Sequence, residues 1–349
     1  MLALVKAQSA AGLSLLQVED PRPGEDEVLI RVRKTGICGT DLHIWNWDDW
    51  ASRHVPVPLV IGHEYMGEIV EVGSRVKGFQ IGDRVTGEGH LINIDSCAAR
   101  AGRFHLDPHS RSVGIDRPGA FAELLALPAF NVIRLPDAID DELGAILDPL
   151  GNAVHTALAF DLAGNDVMVM GAGLIGVMAA AVARHAGAGR VFIGDIQQSR
   201  LDLACRVADV VPINVSQQTP REAARSLGLK HGFPLGFEMS GSATGLEQLI
   251  QAMANGGRVA CLGLPSTNVT LDWAAVVLKS LHIRGIYGRE MFETWRRTLS
   301  LIGSGLNVRK IITHCLPAER FAEGFAAMQS GEAGKVVLSW DHLRTSGRV

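Results

Sequence analysis

Three residues in the N-terminal part of the chain carry side chains that bind zinc in proteins. Cys38 offers a thiolate, His63 an imidazole and Glu64 a carboxylate, which are donors that zinc takes where one position stays open for water or substrate. Taken singly, Cys38 could be a small buried hydrophobe, and His63 with Glu64 a surface pair. Together the three indicate a catalytic metal site.

A second group of residues is suited to binding a dinucleotide. Gly171, Gly173 and Gly176 have the spacing G-x-G-x-x-G between the run VMVM and an alanine-rich helical segment, and Asp195 ends the next predicted strand. Such glycines make the turn, admit a pyrophosphate and pack helix on strand, and the helix N-terminus favours its negative charge. A carboxylate at Asp195 would bind the ribose hydroxyls and repel a 2′-phosphate, so the pattern predicts NAD rather than NADP. The alternative is that the glycines merely turn a buried strand–helix unit.

The elements that must position these groups fall into two predicted domains. Residues 1–150 contain short alternating or β-branched runs such as EVLIRVRKTG and MGEIVEVG, which predict a barrel-like β domain. Over residues 151–290 strands and helices alternate, which predicts a parallel, doubly wound sheet. Residues 291–349 carry two amphipathic helical segments and the run GKVVLSW, which we expect to complete the first domain, and HLRTSGRV is expected to be a frayed tail.

Composition narrows the classes of partner and compartment. The 349 residues carry a formal net charge of −4 with no run of like charges, so neither nucleic acid nor a membrane surface is an expected partner, and small molecules are. The five cysteines are scattered, which fits reduced thiols in the cytoplasm. The uncharged run at residues 167–183 is shorter than the roughly twenty residues that span a bilayer.

Several motifs together identify a family resemblance. GHEYMGEIVEVGSRV resembles the zinc signature of the medium-chain alcohol dehydrogenases, and CGTDLHIWNWDDW, GEGH, DPLGNAVHTAL, EMSG and GIYGREMFETW are similar to those members that oxidise L-threonine. The resemblance covers about residues 1–341. It implies an α/β protein with a GroES-like β-barrel catalytic domain and a Rossmann NAD-binding domain, assembled as a homotetramer through the latter.

The resemblance also implies roles for individual residues. The three donor residues named above would hold a catalytic zinc, Thr40 and His43 would relay a proton, and Asp148 would be a carboxylate near the metal that tunes activity. His90 lies where the family has a histidine near the substrate, although an ordinary packed side chain is an equal alternative. The implied cofactor contacts are Gly171, Gly173, Ile175, Gly176, Asp195, Arg200, Leu262, Gly263, Leu264, Ile286 and Tyr287.

In the implied reaction zinc favours loss of the substrate's hydroxyl proton. Thr40 passes that proton to His43, whose imidazole can exchange it with solvent near neutral pH. Hydride leaves the same carbon for the nicotinamide held between the two domains. From L-threonine the product would be 2-amino-3-oxobutanoate.

One lobe, residues 92–110, departs from the family. The family holds a structural zinc there on four cysteines, and ungapped alignment places those positions at Asn93, Ser96, Ala99 and Asp107, none of which is a thiol. We therefore predict one zinc per chain and a mobile lobe, held by packing, hydrogen bonds or a neighbouring subunit and testable by hydrogen exchange. An alternative metal site in this lobe would use Cys97, His105, Asp107 and His109. It is disfavoured because structural zinc takes four ligands in a closed tetrahedron.

Three functions remain open from the sequence. The first is an NAD- and zinc-dependent dehydrogenase of L-threonine, and the second is a relative of the same architecture that acts on a polyol or vicinal diol. The third is a catalytically silent dinucleotide-binding protein. The intact set of donor and relay residues argues against the third, because a silent protein has no physical need for it.

Overall fold

The chain folds into two compact units. The computed structural model describes residues 1–265, 267–331 and 333–341. The first unit comprises Met1–Asp148 with the segment that begins at Ile312, and the second is Pro149–Ile311. Residues 342–349, expected to be a frayed tail, lie outside the described residues. No helix in the described ranges has the length and apolar character needed to cross a bilayer.

The first unit is built mainly from short strands. Its strands before residue 148 are β1 (Leu2–Lys6), β2 (Ser14–Gln17), β3 (Glu27–Gly36), β4 (Leu59–Val60), β5 (Glu64–Val72), β6 (Arg84–Gly87), β7 (His90–Leu91), β8 (Arg111–Ser112), β9 (Leu124–Pro128) and β10 (Val132–Arg134). Its helices are α1 (Gly39–Asn46), α2 (Asp49–His54), α3 (Cys97–Arg100) and α4 (Asp141–Gly144), and α5 (Leu147–Ala157) crosses the boundary between the units. Single 3₁₀ turns lie at Phe104–Leu106 and Ala129–Asn131.

The second unit alternates strands and helices. Its strands are β11 (Val167–Met170), β12 (Val191–Asp195), β13 (Val211–Asn214), β14 (Phe233–Glu238), β15 (Met253–Cys261) and β16 (His282–Gly285). Its helices are α6 (Leu174–His185), α7 (Gln198–Val207), α8 (Pro220–Ser226), α9 (Ala243–Ala252), α10 (Trp273–Leu278) and α11 (Glu293–Gly303), followed by a 3₁₀ turn at Arg309–Ile311.

The strands of the second unit form one parallel sheet. Their order is β13-β12-β11-β14-β15-β16, and each neighbouring pair is parallel. This is the doubly wound order of dinucleotide-binding sheets, so the prediction of a parallel, doubly wound sheet is confirmed. Residues 291–311, which the sequence analysis grouped with the first domain, lie in this unit. Their helix α11 buries Trp295, over whose ring the guanidinium of Arg289 lies, 5.5 Å from the centroid.

The chain then returns to the first unit. The returning elements are β17 (Ile312–Pro317), a 3₁₀ turn at Ala318–Arg320, α12 (Phe321–Gln329) and β18 (Lys335–Ser339). Strand β18 pairs antiparallel with β3, with Val337 opposite Gly36, and the sheet runs β10-β6-β5-β3-β18-β17 with β9 also on β3. On its other side, β3 pairs with β5. The start of β18 and the start of β5 therefore both lie beside the end of β3, where the predicted metal ligands are.

Candidate active site

The structure brings the three predicted metal ligands together. Cys38 lies at the N-cap of α1, His63 directly precedes β5, and Glu64 is the first residue of that strand. One donor atom from each lies within 4.8 Å of the others. A tight turn makes this approach geometrically feasible: Gly62 has φ +90°, and a Cβ there would lie 2.2 Å from the ring of Phe121.

A buried aspartate holds Cys38 in place. The backbone N–H of Cys38 donates to Asp41 Oδ2 at 2.9 Å, and the Cys38 side chain receives the N–H of Asp41 in return, a reciprocal capping box. Burial raises the pKa of Asp41 to about 6. Sequence reasoning missed Asp41, although its position three residues after the cap was a usable signal.

A buried lysine holds Glu64. Both side chains are fully buried and form an ion pair, and Lys335 Nζ also donates to the carbonyl of Ile37 at 2.7 Å. Room for the carboxylate comes from Gly36, where a Cβ would lie 2.3 Å from Glu64 Oε2. Sequence reasoning missed Lys335 as well. The available signal was a single charged residue at the start of the apolar run KVVL.

The donor group fits a cation. Glu64 Oε1 is buried and accepts no hydrogen bond from the described residues, and buried polar atoms are otherwise almost always paired. Burial alone would lower the pKa of His63, but negative charge on Cys38, Asp41 and Asp148 raises it to about 10. A thiolate, an imidazole and a carboxylate in negatively charged surroundings are suited to zinc.

Two predicted relay residues lie on α1 beside Cys38. The Oγ1 atom of Thr40 is 3.9 Å from the Cys38 sulfur, and His43 follows three residues later, one helical turn on. The side chain of His43 is 59% exposed, and its Nδ1 pairs with Asp48. The N–H of Ala51 and the pairing with His43 hold the pKa of Asp48 below its usual range. The sequence analysis did not assign Asp48 this orienting position.

His90 is oriented by a buried carboxylate. Its Nδ1 lies 2.7 Å from Glu88 Oε1, and its backbone N–H donates to the same atom at 3.1 Å. Glu88 is fully buried, whereas the His90 side chain is 29% exposed. Asn131 Nδ2 donates to the carbonyls of both residues, at 2.9 and 2.8 Å. The imidazole is therefore held on its Nδ1 side by Glu88 and remains partly exposed.

Asp148, the predicted carboxylate near the metal, lies at the start of α5. Its side chain is nearly buried, and its charge raises the pKa of both His63 and Tyr65. Burial is the main cause for Tyr65, whose hydroxyl is fully buried. Asp148 therefore adds negative charge to the surroundings of His63.

In the second unit the glycine motif has the expected geometry. Gly171 directly follows β11 with φ +103°, and a Cβ at Gly176 would lie 2.0 Å from the Gly171 carbonyl oxygen. Gly173 is the N-cap of α6, and Ile175 lies in the helix's first turn. The free amides at this helix start can bind an anion such as a pyrophosphate.

Asp195 lies at the end of β12, beside that motif. Its Oδ2 accepts the N–H of Ala172 at 2.8 Å, its Oδ1 accepts the N–H of Gln197 at 2.9 Å, and Arg200 lies 4.0 Å away. The carboxylate is therefore fixed in position, and each oxygen keeps a further lone pair for a ribose hydroxyl.

The remaining predicted cofactor residues follow β15 and β16. The amides of Leu262 and Gly263 donate to the carbonyl of Glu238 at 2.9 and 3.1 Å, while the side chain of Leu264 is exposed. Ile286 is buried and Tyr287 is exposed. All follow the carboxyl ends of parallel strands, where ligands bind in open α/β sheets.

The lobe at residues 92–110 is held by hydrogen bonds. The nearly buried carboxylate of Asp107 accepts the N–H of Asn93 at 2.6 Å and that of His109 at 3.2 Å, and it also bonds the Ser96 side chain. Ser96 Oγ in turn accepts the N–H of Ala99 at 3.1 Å. The four positions that align with metal ligands in the family are thus joined through Asp107.

The candidates for an alternative metal site in this lobe are Cys97, His105, Asp107 and His109. Among the described residues, these four do not come together as a group that could hold a metal. Cys97 is exposed, at the start of α3, whereas Asp107 is directed into the hydrogen-bonded lobe.

Two family models match the chain. One, described as the alcohol dehydrogenase GroES-like domain, matches residues 24–137, and the other, described as zinc-binding dehydrogenase, matches residues 175–304. With the sheet order above, these matches confirm the predicted fold class of a GroES-like domain and a Rossmann domain.

Individual proteins match over nearly the whole chain. An L-threonine 3-dehydrogenase of Ruegeria pomeroyi is 54% identical, with 97% of this chain and 100% of that protein covered. One of Yersinia pestis is 51% identical, with 98% and 100% covered. Among solved structures, a zinc-binding dehydrogenase of Sinorhizobium meliloti bound to NADP has a TM-score of 0.89 at 28% identity, covering 97% of this chain and 98% of that one. The alcohol dehydrogenase TADH of Thermus sp. ATN1 has a TM-score of 0.89 at 29% identity, covering 97% and 99%.

Proposed function

We propose that this chain, which belongs to the zinc-containing medium-chain alcohol dehydrogenase family, oxidises the 3-hydroxyl of L-threonine with NAD to give 2-amino-3-oxobutanoate. The assembled group of Cys38, His63 and Glu64 supports the alcohol chemistry. The near full-length identity to curated L-threonine 3-dehydrogenases carries the choice of substrate.

The three donor residues would hold one catalytic zinc. When bound, zinc supplies the Lewis acidity that eases loss of a proton from an alcohol. The chain's own contribution is a fixed ligand set: Asp41 and Lys335 each orient one of the donors. Such supporting partners keep ligands in geometry and tune their basicity.

The hydroxyl proton needs a path to solvent, and α1 offers one. Thr40 can accept and pass a proton through its hydroxyl, and His43 is exposed and can release it. Because Asp48 pairs with Nδ1 of His43, the other ring nitrogen is available for this exchange.

His90 is proposed to contact the substrate beside the metal group. Its ring is fixed through Glu88 and remains partly exposed, so it can offer one nitrogen to a polar group of the amino acid. Glu88 is in this account a positioning residue, because it acts through His90.

In the second unit we propose that NAD binds at the carboxyl ends of the parallel strands. The pyrophosphate would lie over the amides at the start of α6, next to Gly173. Asp195 and Arg200 would face the adenosine ribose, and the segments after β15 and β16 would contact the remainder of the cofactor. Asp195 would repel a 2′-phosphate, which is the basis for preferring NAD.

Assembly and location are further parts of the proposal. The family resemblance implies a homotetramer, which light scattering on the purified protein tests. The scattered cysteines, none of them in a disulfide among the described residues, support a cytoplasmic location.

The function is tested by NAD⁺ reduction with zinc-loaded protein. L-threonine, sorbitol and 2,3-butanediol are compared as substrates, each with NAD⁺ and with NADP⁺. We expect the highest kcat/KM for L-threonine with NAD⁺. A higher kcat/KM for sorbitol or 2,3-butanediol would indicate that the chain oxidises a polyol or diol by the same mechanism. No turnover with bound zinc and NAD would support a catalytically silent binding protein.

A further inference from the structure

A basic cleft lies in the second unit, at the edge of the sheet opposite the cofactor motif. It occupies about 150 Å³ and lies where β14 and β15 begin, whereas the glycine motif follows the carboxyl end of β11. Five of its lining residues carry basic side chains, and no lining residue is acidic; the basic residues are Arg221, Arg225, Lys230, His231 and Lys279.

One of these cations has a structural task that explains it. Lys279 Nζ donates to the carbonyls of Ile250, Gln251 and Met253 at 2.9, 2.8 and 3.1 Å. It therefore caps the end of α9, where a positive charge is favourable. Its donors are used, so the cleft's binding capacity depends on the other four.

The other four basic residues have no such task. Among the described residues Arg221, Lys230 and His231 make no side-chain hydrogen bond or ion pair, and Arg225 acts through its charge on Glu222, whose pKa it helps to lower. The hydrogen bonds of the two nearby carboxylates go to other groups: Asp272 bonds Gln251 and caps α10, and Glu222 is held in the capping box of α8. Their charges still act on Lys279 and Arg225, respectively.

The position of Arg221 is electrostatically unfavourable. It lies directly after Pro220 in the first turn of α8, where the helix dipole disfavours a cation. Burial, and after it the charge of Arg221, lower the pKa of Lys279, and the charge of Asp272 offsets part of this. The two cations therefore repel each other across the cleft. A bound anion would relieve both effects.

We propose that this cleft binds a small multivalent oxyanion of the phosphate or pyrophosphate class. Arginine guanidinium groups receive phosphate oxygens through paired, charge-assisted hydrogen bonds, and Arg221 and Arg225 lie one helical turn apart on α8. The volume is below the roughly 300–1,000 Å³ of a pocket for a drug-sized ligand, so the phosphate group itself is what the cleft encloses. The site is independent of the proposed dehydrogenase activity.

The test is calorimetric titration of the full chain with inorganic pyrophosphate at physiological salt, with saturating NAD present so that the cofactor site does not compete. We expect one binding event. In the double variant Arg221→Gln with Arg225→Gln the Kd should rise by about tenfold or more. Both residues are exposed, so the variant is expected to fold. Lys279 is left intact because it caps α9.

The matched control is Arg206→Gln, which removes an exposed arginine of α7 in the same unit and should leave the Kd unchanged. Tighter binding of ATP than of pyrophosphate, lost in the double variant, would identify a nucleotide as the source of the phosphate. No binding in the presence of NAD, or equal Kd values in the wild type and double variant, would overturn the proposal. Preference for a single-stranded oligonucleotide over both anions would also overturn it and indicate a nucleic-acid surface.

Discussion

At the scale of single residues, two buried charges fix the metal-ligand group. Glu64 and Lys335 are fully buried and paired, and the lysine comes from the strand that returns at the end of the first unit. Removing one partner of a buried pair leaves the other uncompensated in a medium that solvates it poorly. The donor group is therefore tied to the stability of this unit.

The variant Lys335→Met measures that link. In metal-free protein, where Glu64 has no metal to compensate it, the free energy of unfolding should fall by about 3–5 kcal/mol. Urea unfolding followed by tryptophan fluorescence gives the value. The control Lys77→Met changes an exposed lysine of the same unit and should have little effect. Equal stability of the two variants would mean that Lys335 does not hold Glu64.

The support of His90 is a second matter of single residues. Glu88→Gln keeps the shape of the buried side chain but weakens its hold on the imidazole, because the charge is lost. We expect kcat/KM for L-threonine to fall about 10- to 100-fold, as for other supporting partners, with zinc content unchanged and the pH profile altered. Glu71→Gln, an exposed change on β5, is the control. An unchanged pH profile and kcat/KM would leave Glu88 a purely structural group.

At the scale of elements, the lobe at residues 92–110 shows what replaces a metal site. Its four aligned positions are joined by hydrogen bonds through Asp107. These bonds are local and few, so the lobe is expected to open more readily than the sheets it extends from. That is consistent with the predicted mobility of the lobe, which hydrogen exchange has yet to test.

Asp107→Asn should loosen the lobe. Asparagine offers one acceptor oxygen where aspartate offers two, so the N–H of either Asn93 or His109 loses its partner. We expect exchange of lobe amides to become about tenfold faster, measured by mass spectrometry. Asp95→Asn, an exposed change in the same lobe, is the control. Equal protection in both variants would show that packing alone holds the lobe.

The same carboxylate makes the lobe sensitive to acid. The N–H of Asn93, with that of His109, lowers the pKa of Asp107 in the folded protein. Its stabilisation is therefore complete above the unfolded-state pKa of about 3.9 and is lost as the pH falls through the lowered folded value. The difference in lobe exchange protection between wild type and Asp107→Asn, each corrected for intrinsic exchange, should shrink over that acid range. A constant difference down to pH 2 would contradict this.

At the scale of the whole molecule, periodic patterns could be predicted from sequence and distant pairings could not. The alternation in β3 and β5 and the glycine motif before α6 are local, so their elements are readable in the sequence. The ion pair of Lys335 with Glu64 joins the two ends of the first unit, and no local pattern specifies which buried charges will meet. The same holds for Arg221, in the first turn of α8, and Lys279, at the end of α10, which line one cleft although they are far apart in the sequence.

One zinc per chain, held by Cys38, His63 and Glu64, is expected to support oxidation of L-threonine by NAD. The most direct measurement is to titrate chelated, metal-free protein with zinc while NAD⁺ reduction by L-threonine is followed. We predict that the rate rises to a plateau at one zinc per chain. A plateau near two zinc ions, or no turnover at any zinc concentration, would contradict the claim.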